Sequence, residues 1–276
     1  MNVALATSAI LVGTVAWYAR AWRRADDAGA WHLASLLVAV LAVAVAQIPL
    51  FALAEERSAV AHVALLILVI HAAPFFLLRS VTPGILGRYA TPIAGFATRL
   101  PVLVPLVLLA VVAYGWHVPA AFDAAARNAA LGTMQHLTFL LVGTLAWLPI
   151  AAHAAFRPRL LGLSAFLYLV GDELILGALG IVLTWAPRPL YDVYLDAPRL
   201  WGLSADTDQM LAGAVLTVVE EAPMGVALAV VFIRMLQREE AELQAEERAL
   251  DLTATGEGAQ HQLRSVVGDG VEAESG

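Results

Sequence analysis

The chain has 276 residues, 61% of them hydrophobic and 14% charged, with a mean hydropathy of +0.77, well above the roughly 45–50% apolar content of soluble domains. All 16 basic residues are Arg and Cys is absent, which excludes a retinal Schiff base, a disulfide framework and thiolate metal ligation. The formal charge of −7 belongs to the C-terminal segment, which from Gln237 onward holds ten of the 23 acids and three of the 16 Arg, so no basic stripe is offered to nucleic acid.

A span needs about 20 mostly apolar residues to cross ~30 Å of hydrocarbon. Seven segments qualify in chain order: 3–19, 32–53, 59–78, 100–114, 131–152, 162–185 and 209–236. The first lacks a basic leader and is followed by Arg20, Arg23 and Arg24, which suits a first span with its N-terminus outside. Arg20, Arg23, Arg24, Arg79, Arg88, Arg99, Arg157 and Arg159 fall in the odd loops, against Arg57, Arg127, Arg188 and Arg199 in the even ones. That bias puts the odd loops on the cytoplasmic side. The expected fold is therefore all-α, a polytopic membrane protein built as a seven-helix bundle, N-terminus outside and C-terminus cytoplasmic. Residues 1–236 form the transmembrane domain, and 237–276 an acidic, largely disordered cytoplasmic tail. The loop 186–208, with Tyr191, Tyr194, Trp201 and three Pro, is expected as an ordered cap at the outer interface, where Tyr and Trp are favoured.

Ionisable groups inside a span cost about 2.5–3.5 kcal/mol each, so they are functional candidates by default. Counted at about 1.5 Å per residue, His62 and His136 lie near the outer end, beside Asp208 and Met210 at the mouth of the last helix. His71, Asp172, Glu173, Glu220 and Glu221 fall deeper and form a second tier near the midplane. His62 and His71 are nine positions apart and point to opposite faces at about 100° per residue, so they serve different sites. Glu173 shares a stripe with Gly177, Gly180 and Thr184, a small-residue face suited to close helix contact. This favours Glu173 over Asp172 as the inward carboxylate, sharing a polar cluster with His71 and Glu221. No GxSxG, HExxH or Walker loop is present, so no enzyme chemistry is indicated.

Two stretches carry a family likeness. PLYDVYLDAPRLWGLSADTDQMLAG supplies Pro189, Leu190, Tyr191, Tyr194, Leu203, Ser204, Asp208, Gln209, Ala212 and Gly213; MQHLTFLLVGTLAWLP supplies His136, Gly143, Trp147 and Pro149; His62 and Pro74 follow in the expected order. Together they resemble the CtaG-type cytochrome c oxidase assembly factors, polytopic bacterial membrane proteins. Where that pattern has His pairs one helical turn apart, this sequence has Leu66 and Gly132 as the partners of His62 and His136.

The resemblance implies a non-enzymatic factor in the bacterial plasma membrane that acts on cytochrome c oxidase subunits during maturation of a haem-copper oxidase. It also implies copper, the only cofactor suggested, handled at the outer face by His62 and His136 with Asp208 or Met210. Two other readings stand beside it. One is a proton- or cation-coupled carrier built on the midplane cluster, and the other is a metal-free scaffold for oxidase subunits.

Overall fold

The structure is a computed structural model that describes residues 3–45, 48–150 and 159–273, with side chains at 3–7, 49, 219–224, 227 and 249–273 outside the description. The described residues are helical, without a strand. In chain order the helices are α1 (Val3–Trp22), α2 (Ala30–Val45), α3 (Pro49–Glu55), α4 (Ala59–Ser80), the bent α5 (Pro83–Arg99) and α6 (Val104–His117). They continue with α7 (Pro119–Arg127), α8 (Ala129–Trp147), α9 (Leu163–Trp185), the single turn α10 (Asp192–Leu195) and α11 (Ala205–Ala273). Two compact units divide the chain, Met1–Leu228 and Ala229–Gly276. In the second, the acidic run Glu239, Glu240, Glu242, Glu246 and Glu247 is exposed along its helix.

Among the described residues α4, α8 and α9 are long and apolar enough to cross a membrane, and α5 with α6 makes a fourth candidate bent by 85°. Seven were expected from apolar content alone. The first and seventh expected spans rest in part on residues outside the description. The second is divided where Pro49, which has no N–H to continue a helix, opens α3. The fourth corresponds to α6, which meets α5 at the 85° bend where Leu100 precedes Pro101 and is extended (φ −62°, ψ 120°).

Burial follows the logic of a lipid-solvated bundle. Leu141, Leu167, Leu174 and Ile181 lie more than half exposed on α8 and α9, while His62, His71, Asp172, Asp208 and Gln209 are buried. Water would reverse that arrangement; hydrocarbon demands it, because an unsatisfied polar group there costs several kcal/mol. One core links α4, α6, α7, α8, α9, α10 and the start of α11 through Leu66, Ile70, Leu109, Phe122, Phe139, Leu179, Tyr194 and Leu216. A smaller one joins α1, α2 and the first turn of α5 through Tyr18, Leu36 and Ile85. Beside it the Tyr18 hydroxyl donates to the Ser80 carbonyl at 2.5 Å.

Lipid gives helices no hydrophobic reason to associate, so close backbone approach must do so. Two glycine contacts supply it. Pro74 has no N–H for the carbonyl of Ile70, and the chain responds with a π-turn over Leu68–Ala72 in which Ala73 N donates to Leu68 O. The Ile70 carbonyl then faces α8 at Gly143, where an added Cβ would collide with it. Gly180 of α9 and Gly213 of α11 face one another in the same way, each close to the other's carbonyl and flanked by Thr184 and Thr217. Gly177, on the same expected stripe, borders open space.

Because backbone is the obstacle at Gly143, relief requires α4 and α8 to separate. Gly143→Ala should lower stability by about 1–3 kcal/mol, read as a reduced melting temperature of the detergent-purified protein. Gly177→Ala should leave the melt unchanged.

Candidate functional site

Where the first turns of α4 and α8 meet α3 and α7, a cleft of about 340 Å³ opens, lined among others by Glu55, His62, Phe122, Gln135, His136 and Tyr194. Glu55 ends α3, three residues before Ser58 caps α4 and accepts from Ala61 N at 3.3 Å. The tight connection turns the Glu55 carboxylate back over the first turn of α4. There Oε1 lies 2.8 Å from His62 Nδ1 and 3.1 Å from His136 Nε2 on α8. One carboxylate oxygen thus joins two imidazoles from two helices.

The electrostatics of Glu55 follow from those partners. Burial is the largest influence and would raise its pKa, but the hydrogen bonds from His136 and His62, with the charge of both rings, outweigh it and bring the group from its ordinary 4.5 down to about 2. Glu55 is therefore a carboxylate that can only accept. Both ring nitrogens facing it are N–H donors. In neutral imidazoles this assigns the proton of His62 to Nδ1 and that of His136 to Nε2.

Asp208, a ligand candidate in the sequence, has a different occupation in this structure. Its Oδ1 accepts from Ser58 Oγ and its Oδ2 from Ala59 N, both at 2.6 Å. A carboxylate at the first N–H groups of α4 satisfies orphan donors and complements the helix dipole. It fixes the turn from which His62 projects. Met210 is 45% exposed and stands apart from the cleft's lining.

The other motif residues build the cap over the cleft. Gln209 Oε1 accepts from Leu190 N at 2.6 Å, while its Nε2 donates to Leu183 O at 3.3 Å. Asp123 of α7 accepts from the backbone N–H groups of Asp192 and Val193, holding the start of α10. Tyr191 stacks on Phe122 at 3.8 Å, and its hydroxyl donates to His117 O. The Tyr194 hydroxyl donates to the Glu55 carbonyl at 3.1 Å, and Arg199 ties the carbonyls of Tyr194 and Leu195. Burial holds both phenols protonated, and the charges of Glu55 and Asp208 add to this at Tyr194. The loop is the ordered cap that its aromatic and Pro content suggests.

Three of the five midplane candidates come together. His71, in the π-turn, lies within electrostatic reach of Asp172 and Glu173 of α9. Asp172 is the more buried residue, at 3% exposure, and Glu173 is half-buried, while each has a carboxylate oxygen closed off from solvent; the stripe makes close contact at Gly180 and not at Gly177. Glu220 and Glu221 lie outside the described residues. Trp147 packs edge-on against Phe75 at 5.1 Å, so the interactions of this motif residue are with packing aromatics.

Three residues of the site carry no sequence signal strong enough to single them out. Glu55 sits in the run Glu-Glu-Arg, which reads as a loop. His117 lies three residues past the shortest expected span, two before Pro119. Ser58 is a common helix cap and becomes informative only once Asp208 is seen against it.

A depressed carboxylate pKa stabilises the fold above the unfolded-state value and loses that contribution as pH falls through the folded value. The stability gap between the wild type and Glu55→Gln should therefore be present above about pH 4.5 and narrow as pH falls towards about 2. Thermal melts across that range in detergent test it. A gap that widens on acidification would contradict the assignment of the charge.

No curated protein and no solved structure matches the chain. Residues 15–238 match the model of the cytochrome c oxidase caa3 assembly factor family, Caa3_CtaG. That range contains the cleft, the cap and the midplane residues, and the chain belongs to this family of cytochrome c oxidase assembly factors.

Proposed function

We propose that this protein serves the maturation of a haem-copper cytochrome c oxidase in the bacterial plasma membrane by taking up copper in the cleft around Glu55, His62 and His136. It would then make the ion available to an oxidase subunit. The observation that carries the reading is one buried carboxylate held between two imidazoles from different helices at the floor of a cleft. Imidazole is a copper donor. A carboxylate behind a ligating imidazole fixes its tautomer and raises its basicity. The excess of Arg in the odd loops supports an orientation with this cleft on the outer side of the membrane, from which the metal would arrive, and the C-terminus in the cytoplasm.

In this reading the protein is not an enzyme. It breaks no bond, and Glu55 orients donor nitrogens and balances a cation's charge. Glu56 and Arg127 at the cleft's lining frame the entrance, and the cap held by Gln209 and Asp123 is the surface an oxidase subunit would meet. A second reading, a proton- or cation-coupled carrier, draws on the reach between His71 and the carboxylates Asp172 and Glu173.

Cells expressing His62→Ala or Glu55→Gln in place of the wild type should accumulate oxidase subunits with little copper-dependent activity, and added copper should restore part of it. Normal oxidase in both strains would leave a metal-free scaffold as the function. Loss of ion flux in vesicles containing His71→Ala, with oxidase assembly intact, would favour the carrier.

A further inference from the structure

His117 is used by neither the motif nor the cleft's ion pairs, yet it is an unusual group. It closes α6, is 6% exposed and stands across from His62, which is 4% exposed, with ring centroids 6.2 Å apart. Its Nδ1 lies 2.7 Å from the Ala113 carbonyl one turn back. A carbonyl can only accept, so Nδ1 carries the proton and Nε2 keeps a lone pair. In a neutral His62, whose Nδ1 donates to the Glu55 carboxylate, the same reasoning leaves Nε2 with a lone pair as well. Both Nε2 atoms are buried and neither has a hydrogen-bond partner.

Two buried acceptors on rings 6.2 Å apart are costly unless something positive or donating satisfies both. Neither neutral ring can donate to the other through Nε2. The two Phe rings packed against them offer no donor, and the buried amide of Gln135 in the same cleft has no partner either. Phe122 lies 4.8 Å from the His62 ring and 6.0 Å from the His117 ring, and Phe139 lies 6.3 Å from the latter.

We propose that the Nε2 atoms of His62 and His117 clamp a single copper(I) ion, entering past His136 and Glu55, as the binding step of the copper handling described above. The inference rests on that reading and names its ligands. The centroid separation accommodates one ion between the rings with metal–nitrogen bonds of about 2 Å. Both rings have their other nitrogen bound to an oxygen acceptor, the arrangement that orients metal-binding imidazoles.

The class of ion follows from ligand number and dielectric. Among the described residues no three His, Cys, Asp or Glu side chains converge as a metal site. Zinc prefers four ligands, copper(II) a tetragonal nitrogen and oxygen set, and calcium or magnesium an oxygen cage. Copper(I), a filled-shell monovalent ion, accepts two nitrogens in a line and carries the least charge into an apolar wall. Glu55, bound to the far side of His62, offsets that charge without touching the metal, which makes it a positioning residue.

The test is anaerobic titration of the purified full-length protein with copper(I) against a chromophoric chelator, with X-ray absorption on the loaded sample. The expected result is one equivalent bound through two nitrogen neighbours, and no zinc retained. His62→Ala and His117→Ala should abolish tight binding, while Glu55→Gln should weaken it roughly 10- to 100-fold. His117→Met guards against a variant that fails to fold, since it should still bind and replace one nitrogen neighbour by sulfur. Copper held by three or more ligands, or binding unchanged in folded His117→Ala and no sulfur in His117→Met, overturns the clamp and leaves the copper reading with Glu55 and His136 as its donors. No copper on the wild type overturns both.

Discussion

The arrangement depends on one oxygen atom. Glu55 Oε1 receives both His62 and His136, and each of those bonds fixes more than a distance. It decides which nitrogen of each ring holds the proton, and so which lone pair is left to face the interior. It also makes a carboxylate tolerable where burial alone would neutralise it. The surrounding structure can be understood as what keeps that oxygen in place: Tyr194 holds the Glu55 main chain from above, and Asp208 anchors the helix turn from which His62 projects.

That support gives the Asp-Gln motif a structural occupation. Asp208 and Gln209 sit side by side at the start of α11 and reach in different directions, one to the N-terminus of α4 and one to the outer loop and the end of α9. Each satisfies backbone groups that a helix end or a loop would otherwise leave unpaired in an apolar setting. Polar residues at a membrane protein's helix ends therefore have two possible employments, chemistry and backbone satisfaction. Type and depth do not distinguish them; the partner does.

The same distinction separates what was legible in the sequence from what was not. The all-helical character follows from composition, and His62 and His136 stand out because imidazoles are costly in lipid. Their meeting through Glu55 is not legible, since Glu55 lies between spans in a charged run whose default reading is solvated. Apolar length also hides breaks, because Pro49 opens α3 within the second expected span and Pro101 stands at the bend where α5 meets α6. The small-residue stripe on α9 identified the right kind of contact, at Gly180 and Gly213, but Asp172 and not Glu173 is the more buried residue.

Pairing imidazoles between helices has a physical consequence that pairing them along one helix lacks. Had Leu66 been a His, the two rings would have shared a face of α4 with a spacing set by the helix itself. Leu66 instead is 1% exposed in the core, and Gly132 packs so that an added Cβ would lie 3.2 Å from the Ala125 carbonyl. The Leu66 position has no room for an imidazole without repacking, while Gly132 borders the cleft. His62 faces His117 across α4 and α6, and Glu55 joins α3 to α8, so the spacing of the donor atoms is set by how helices pack. The Ile70–Gly143 contact locks α4 to α8, and the stack of Phe122 on Tyr191 locks α7 to the cap. A shift of either would change the distance between the rings, whereas a chelate along one helix would ride through it unchanged. Under the proposed copper reading, donors that depend on packing in this way would couple the state of the cap to the site, an advantage where a bound ion has to be released to a partner.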